Sequence, residues 1–199
     1  MALDNGEDPN TCMKWYFGDP LWGGSDRLPV LSVASHLGYA DVVTALLEAK
    51  ANTEYRGTFK VTALTLAACG GQAEIVEKLL NHGADTKSRD SKYAELPIHY
   101  AAIRNQVNTA QVLYDHGSHL DEVDGFGCTP LHHAAWNGYT AMVEWLVKHG
   151  ANISAVSHDG DTILHSAASN GHITMAEWLV KKGVDVSAVK HNGNTALHS

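Results

Sequence analysis

Between Thr129 and Asn152 the apolar and polar positions alternate in a way that predicts two short helices. Leu131, Ala134 and Ala135 mark a narrow face of small residues, which lets a neighbouring helix come close. Met142, Val143, Leu146 and Val147 follow at the three-to-four spacing of an amphipathic helix. Thr129 is placed to cap the first helix, its hydroxyl accepting from an orphan backbone N–H. Pro130 stands at the first helical position, where a missing N–H costs nothing. Gly138 and Gly150 end the two helices. Helices this short cannot close a core of their own and need neighbours.

The chain supplies them. Thr62, Leu96, Thr129, Thr162 and Thr195 open equivalent units in strict phase, with a single extra position between Thr62 and Leu96. Pro29 opens a degraded unit one period before Thr62. Gly38, Gly71, Asn105, Gly138 and Gly171 repeat at the first helix end, and Lys50, Gly83, Gly117, Gly150 and Gly183 at the second. A period of about 33 with a TPLHxA core is characteristic of ankyrin repeats, and from Pro29 to Ser199 the chain resembles that family. The resemblance implies an all-α repeat solenoid, each unit a β-hairpin followed by two antiparallel helices. The expected boundaries are an N-terminal tail and aromatic cap (1–28), repeats at 29–61, 62–95, 96–128, 129–161 and 162–194, and the start of a sixth at 195–199. This last piece reads as the beginning of a further unit, so the chain is expected to be part of a longer array.

The units differ. The first is degenerate, with Ser32 at the usual His position and Lys50 at the second glycine. The second has Thr65 at the His position. The third carries Asn105, the best non-glycine residue for a positive φ, and the loop KSRDSKYAE before it holds one extra residue, so its hairpin should be distorted. The fourth and fifth are close copies: MVEWLVKHGANISAV against MAEWLVKKGVDVSAV. Residues 1–10 are polar and acidic, with little to bury. Trp15, Tyr16, Phe17, Leu21 and Trp22 are expected to cover the open end of the first repeat, since terminal repeats need atypical covers. The alternative is a flap closing a pocket.

Charge narrows the partners. A net charge of -8 and a pI near 5.8 argue against nucleic acid and against an anionic membrane. No apolar run approaches the roughly 20 residues of a membrane span. Three cysteines, Cys12, Cys69 and Cys128, without metal spacing read as reduced thiols of a cytoplasmic or nuclear protein.

Thirteen histidines invite metal or acid–base chemistry, but the repeat register explains most of them. His99, His132, His165 and His198 are the His of TPLH, a structural residue in the family the chain resembles. His82, His116 and His149 face helix C-terminal carbonyls, a favourable place for a donor or cation. His172 opens a second helix. His36, His119, His133, His158 and His191 have no such reason, and no metal or cofactor is expected from them. There is no phosphate loop, His-Glu-x-x-His or nucleophile elbow.

The informative positions are those that the repeat leaves free. The resemblance implies that the first helices line a concave groove, with outward residues just after the TPLH His and after Ala-Ala. At the centre these are Tyr100, Ile103, Arg104, His133, Trp136 and Asn137, flanked at the hairpin tips by Phe126, Asp124, His158 and Asp159. Trp, Tyr and Arg dominate binding hot spots. Trp145 and Trp178 recur at one phase and read as packing residues. The expected function is a non-enzymatic scaffold for a neutral or basic protein or peptide, the chain being monomeric or part of a longer one. The competing reading is a small-molecule groove, with His36, Cys69, Tyr100 and His133 on one wall under the aromatic segment. A third is a spacer with no partner of its own.

Overall fold

The computed structural model describes residues 8–17, 24–57 and 59–198, without the side chains of residues 14–17, 24–27 and 197. Two strands lead: β1 (Cys12–Phe17) and β2 (Gly24–Pro29). Five helix pairs follow: α1 (Val30–Leu37) with α2 (Ala40–Glu48), α3 (Ala63–Cys69) with α4 (Ala73–Asn81), α5 (Pro97–Ile103) with α6 (Val107–Asp115), α7 (Pro130–Trp136) with α8 (Thr140–Lys148), and α9 (Ile163–Ser169) with α10 (Ile173–Lys181). A 3-10 turn, Ala196–His198, comes last. The chain divides into two compact units, residues 1–97 with 108–118 and residues 98–107 with 119–199.

In the first unit β1 and β2 pair antiparallel, Cys12 opposite Pro29 and Phe17 opposite Gly24. The Val30 N–H donates to the Thr11 carbonyl at 2.9 Å, so the sheet runs straight into α1. The side chains of Trp15, Tyr16 and Phe17, with Leu21 and Trp22, lie outside the described residues. Behind the sheet α1 packs on α3 and α2 on α4. Leu31, Val43, Leu64, Leu66, Ile75 and Leu79 are buried between them, together with Ala110 and Leu113 of α6.

The loop with the extra residue is distorted, as its length predicts. The buried Asp90 carboxylate accepts the backbone N–H groups of Lys92, Tyr93 and Glu95, gathering the loop around itself. Ala94 is forced to φ 56, the left-handed region that glycine occupies at the equivalent Gly127 and Gly160. Ala94→Gly is therefore expected to stabilise the protein by about 0.5–1 kcal/mol. That figure is a left-handed penalty of roughly 1–2 kcal/mol, reduced by the unfolded freedom that glycine adds. Urea unfolding reads it directly, and an unchanged or lower midpoint would show that the turn is not strained.

The second unit repeats the same arithmetic with better sequence. Leu131, Ala134 and Ala135 of α7 are fully buried, as are Met142, Val143 and Leu146 of α8. The small face of α7 lets α9 lie against it. Trp145 stacks on His149 at 4.5 Å between ring centroids, and Lys182 lies 5.2 Å over Trp178, so both tryptophans rest on the residue one turn further on. Every predicted helix stop has a positive φ, including Asn105 (56°) and Lys50 (61°).

The expected β-hairpin of each unit is not formed as a ladder. Among the described residues the connections hold only isolated bridges, Val156 to Thr162 and Val189 to Thr195. Each turn is short and closes on itself, with the Asp124 N–H donating to the Cys128 carbonyl (3.0 Å) and the Ser157 N–H to the Asp161 carbonyl (2.9 Å), and it also bonds to the neighbouring turn. The His158 N–H donates to the Phe126 carbonyl (2.9 Å) and the His191 N–H to the Asp159 carbonyl (3.1 Å). The polar groups of the turns are thus satisfied both within each turn and between repeats.

Candidate functional site

The histidines of the second unit tie its helices to its connections. Thr129 and His132 form a reciprocal cap. The His132 Nδ1 lies 3.1 Å from the Thr129 backbone N–H and 2.9 Å from its hydroxyl. Nδ1 is therefore the acceptor, which leaves the proton on Nε2 for the Asp161 carbonyl at 3.0 Å. One imidazole ties its own helix start to the following connection. His165 repeats this with Thr162 and the Asn194 carbonyl, and the His99 Nε2 reaches the Cys128 carbonyl at 3.3 Å. His82, His116 and His149 each direct Nδ1 to the carbonyl four residues back, at 2.8–2.9 Å.

His133, the residue after this box, is partnered differently. Its Nε2 lies 2.8 Å from the Asp124 carboxylate, whose other oxygen accepts the N–H groups of Phe126 (2.8 Å) and Cys128 (2.9 Å). The Asp124 side chain is fully enclosed, while that of His133 keeps 20% of its exposure. Burial pushes the Asp124 carboxyl up. The hydrogen bonds from His133 and from the two backbone N–H groups, with the charge of His133, outweigh burial and hold the carboxyl below its ordinary value. The His99 ring meets the His133 ring edge-on at 5.8 Å. Asp124 therefore fastens the hairpin tip to α7 and fixes the backbone that carries Phe126.

Around this anchor the predicted residues fall into two groups. Trp136 and Phe126 are large and half exposed, at 52% and 55%. Asn137 and His158 are exposed beside them, and the Asn137 amide caps α7 through the His133 carbonyl at 2.9 Å. Ile103 and Arg104 are half-buried. Tyr100 does not belong to the surface: it is 2% exposed and among the largest fully buried side chains. The equivalent Val33, Leu66 and Ser166 are buried too, while His133 at that position keeps part of its surface. The contiguous five-residue patch expected from the sequence is thus reduced. Its accessible apolar surface is Trp136 with Phe126. Burial also removes Cys69 (4%) and Tyr100 from any small-molecule wall.

Asp124 was legible only as a hairpin-tip residue. Its anchoring role has a sequence signal all the same. Asp90 holds the same position one unit earlier, offset by the extra residue, and also gathers backbone N–H groups.

Comparison with known proteins agrees with the repeat. Residues 2–90 match the family described as "Ankyrin repeats (3 copies)", and residues 98–147 and 139–180 the one described as "Ankyrin repeats (many copies)". The chain is 34% identical over 107 residues to cyclin-dependent kinase 4 inhibitor B of Rattus norvegicus, covering 54% of this chain and 80% of that protein. It is 34% identical over 110 residues to the Homo sapiens protein of the same name, covering 55% and 78%. It is 36% identical over 100 residues to ankyrin repeat and KH domain-containing protein 1 of Homo sapiens, covering 49% of this chain but only 4% of that much longer protein.

Proposed function

This chain belongs to the ankyrin-repeat family, and from that premise we propose that it is a non-enzymatic module that binds a protein or peptide through the second unit. The observation that carries this reading is the pair of half-exposed aromatics, Trp136 and Phe126, set on a backbone pinned by the enclosed Asp124. Rigid aromatic anchors bury much area at little entropic cost. Asn137 and His158 are exposed and supply polar contacts at the rim, and the half-buried Ile103 and Arg104 remain part of the proposed surface. The names of two relatives describe inhibition of a kinase, which supports a protein as the class of partner. With a net charge of -8 the partner surface is neutral or basic, and nucleic acid and anionic membranes are disfavoured. Among the described residues no helix is long and apolar enough to cross a membrane. The cytoplasm or nucleus is the compartment this reading proposes, with the chain acting as a monomer or within a longer array.

Trp136→Ala is expected to weaken partner binding by about 2 kcal/mol, roughly thirtyfold in Kd, with the helical circular dichroism unchanged. The partner would be isolated on the wild-type chain, and its affinity for both chains measured by calorimetry. Equal affinities for wild type, Trp136→Ala and Phe126→Ala would remove the surface from consideration.

A further inference from the structure

Beyond each second helix stop the chain places one residue in phase: Arg56, Arg89, Val123, Val156 and Val189. The first two are cationic. The three that belong to the second unit are apolar, and they are not buried: Val123 is 40% exposed, Val156 55% and Val189 54%. Val156 and Val189 bridge to Thr162 and Thr195, and a bridge position favours a β-branched side chain. Threonine would meet that need without leaving methyl groups in water. Local structure therefore accounts for the branching of these residues and not for their hydrophobicity. A row of apolar side chains left in water marks an interaction surface.

The row is held rigidly. α9 lies on α7, and the His172 Nε2 donates to the Trp136 carbonyl at 2.9 Å. The His158 N–H bond to the Phe126 carbonyl joins the connection of Val123 to that of Val156, and the His191 N–H bond to the Asp159 carbonyl joins the next two. Gly127 (φ 76) permits the first of these approaches, since a Cβ there would lie 2.6 Å from the His158 backbone nitrogen. Successive valines are thus about one helix-packing distance apart, roughly 8–10 Å. Residues on one face of an extended strand recur at about 6.7 Å and fall out of step with such a row. Seven residues of an α-helix rise about 10.5 Å, so a helix lying along the row with a slight tilt presents one apolar residue to each valine. Three rungs take about fifteen residues of helix.

Charge selects the rest of the occupant. The three connections, residues 119–128, 152–161 and 185–194, hold six Asp or Glu against a single Lys. That residue, Lys190, is ion-paired with Asp161, while Asp121, Asp159 and Asp185 are exposed. We propose that Val123, Val156 and Val189 form a docking stripe for a basic amphipathic helix of a partner protein, apolar at every seventh residue and carrying Lys or Arg beside that seam. The inference rests on the reading of the second unit as a binding surface, and adds to it the class of partner and three contact residues.

The test selects phage-displayed random peptides of about twenty residues, long enough for three rungs, on the wild-type chain. Enriched sequences are expected to share apolar residues at seven-residue spacing with Lys or Arg between them, and the synthetic peptide should become helical on binding. Changing all three valines together, Val123→Thr, Val156→Thr and Val189→Thr, keeps volume and branching. It should weaken the best peptide by about tenfold or more, with the circular dichroism of the chain unchanged. Enrichment of acidic or non-helical sequences, or an affinity indifferent to the three threonines, would overturn the proposal. Loss of binding in Trp136→Ala and Phe126→Ala with indifference to the threonines would overturn it while leaving the aromatic surface in place. Loss with the threonines alone would uphold the stripe and remove the aromatics from the site.

Discussion

His132→Ala is expected to destabilise the protein by about 3 kcal/mol. The ring is buried (2% exposed), and its removal orphans the Thr129 N–H and hydroxyl on one side and the Asp161 carbonyl on the other. Each buried group left unpaired costs about 1–3 kcal/mol. The change also has a pH signature. Burial lowers the affinity of His132 for a proton below its ordinary value of 6.5, and the bond to the Asp161 carbonyl offsets only part of that. Below pH 6.5 the unfolded chain takes up a proton that the folded ring resists. This contribution is therefore complete above 6.5 and declines as pH falls below it. Urea unfolding at pH 8 and pH 5.5 should show a smaller acid loss in His132→Ala than in wild type. A variant as stable as wild type at pH 8 would mean that water replaces the imidazole and that the inter-repeat bond is dispensable.

Asp124→Ala should cost a similar amount, about 3 kcal/mol, for a different reason. It removes the shared acceptor of two backbone N–H groups and leaves His133 without its carboxylate. Asp124→Asn should cost less, since the amide oxygen still accepts one or two of these bonds. The carboxyl is held below its ordinary 3.8, so its contribution is complete above that pH and is lost as pH falls through the lowered value. Thermal melts of both variants, with hydrogen exchange at Phe126 and Cys128, separate loss of the anchor from general unfolding. Unchanged protection at both amides in Asp124→Ala would show that the tip holds itself.

Much of the fold could be read because spacing is strict. A helix stop that needs a left-handed residue admits few types, so Gly38, Gly138 and Asn105 announced their conformation, and even Lys50 fell in phase. The structural role of the TPLH histidines was readable through the family resemblance, and the structure shows its basis in an imidazole that accepts at Nδ1 and donates at Nε2. What failed was direction. Tyr100 was placed outward because the register gives a residue's place along a helix more surely than the side from which a neighbour approaches. Asp124 failed in the opposite sense. A charged residue in a turn reads as solvated, and its enclosure depends on His133, nine positions away, which the repeat pattern does not mark. The hairpins are shorter than a ladder, bonding across their own turn as from Ser157 to Asp161 and also one whole unit along the chain as from His158 to Phe126.

The junction between the fourth and fifth repeats is bonded in both directions, His132 reaching forward to Asp161 and His172 reaching back to Trp136. Reciprocal bonds of this kind restrict how such a gene can change in length. Duplicating or deleting a whole period keeps every donor opposite its acceptor, and the resemblance between these two repeats is compatible with such a change. Losing a single helix would strand one member of each pair. Inheritance in complete units then follows from hydrogen bonding, with no appeal to what the protein binds.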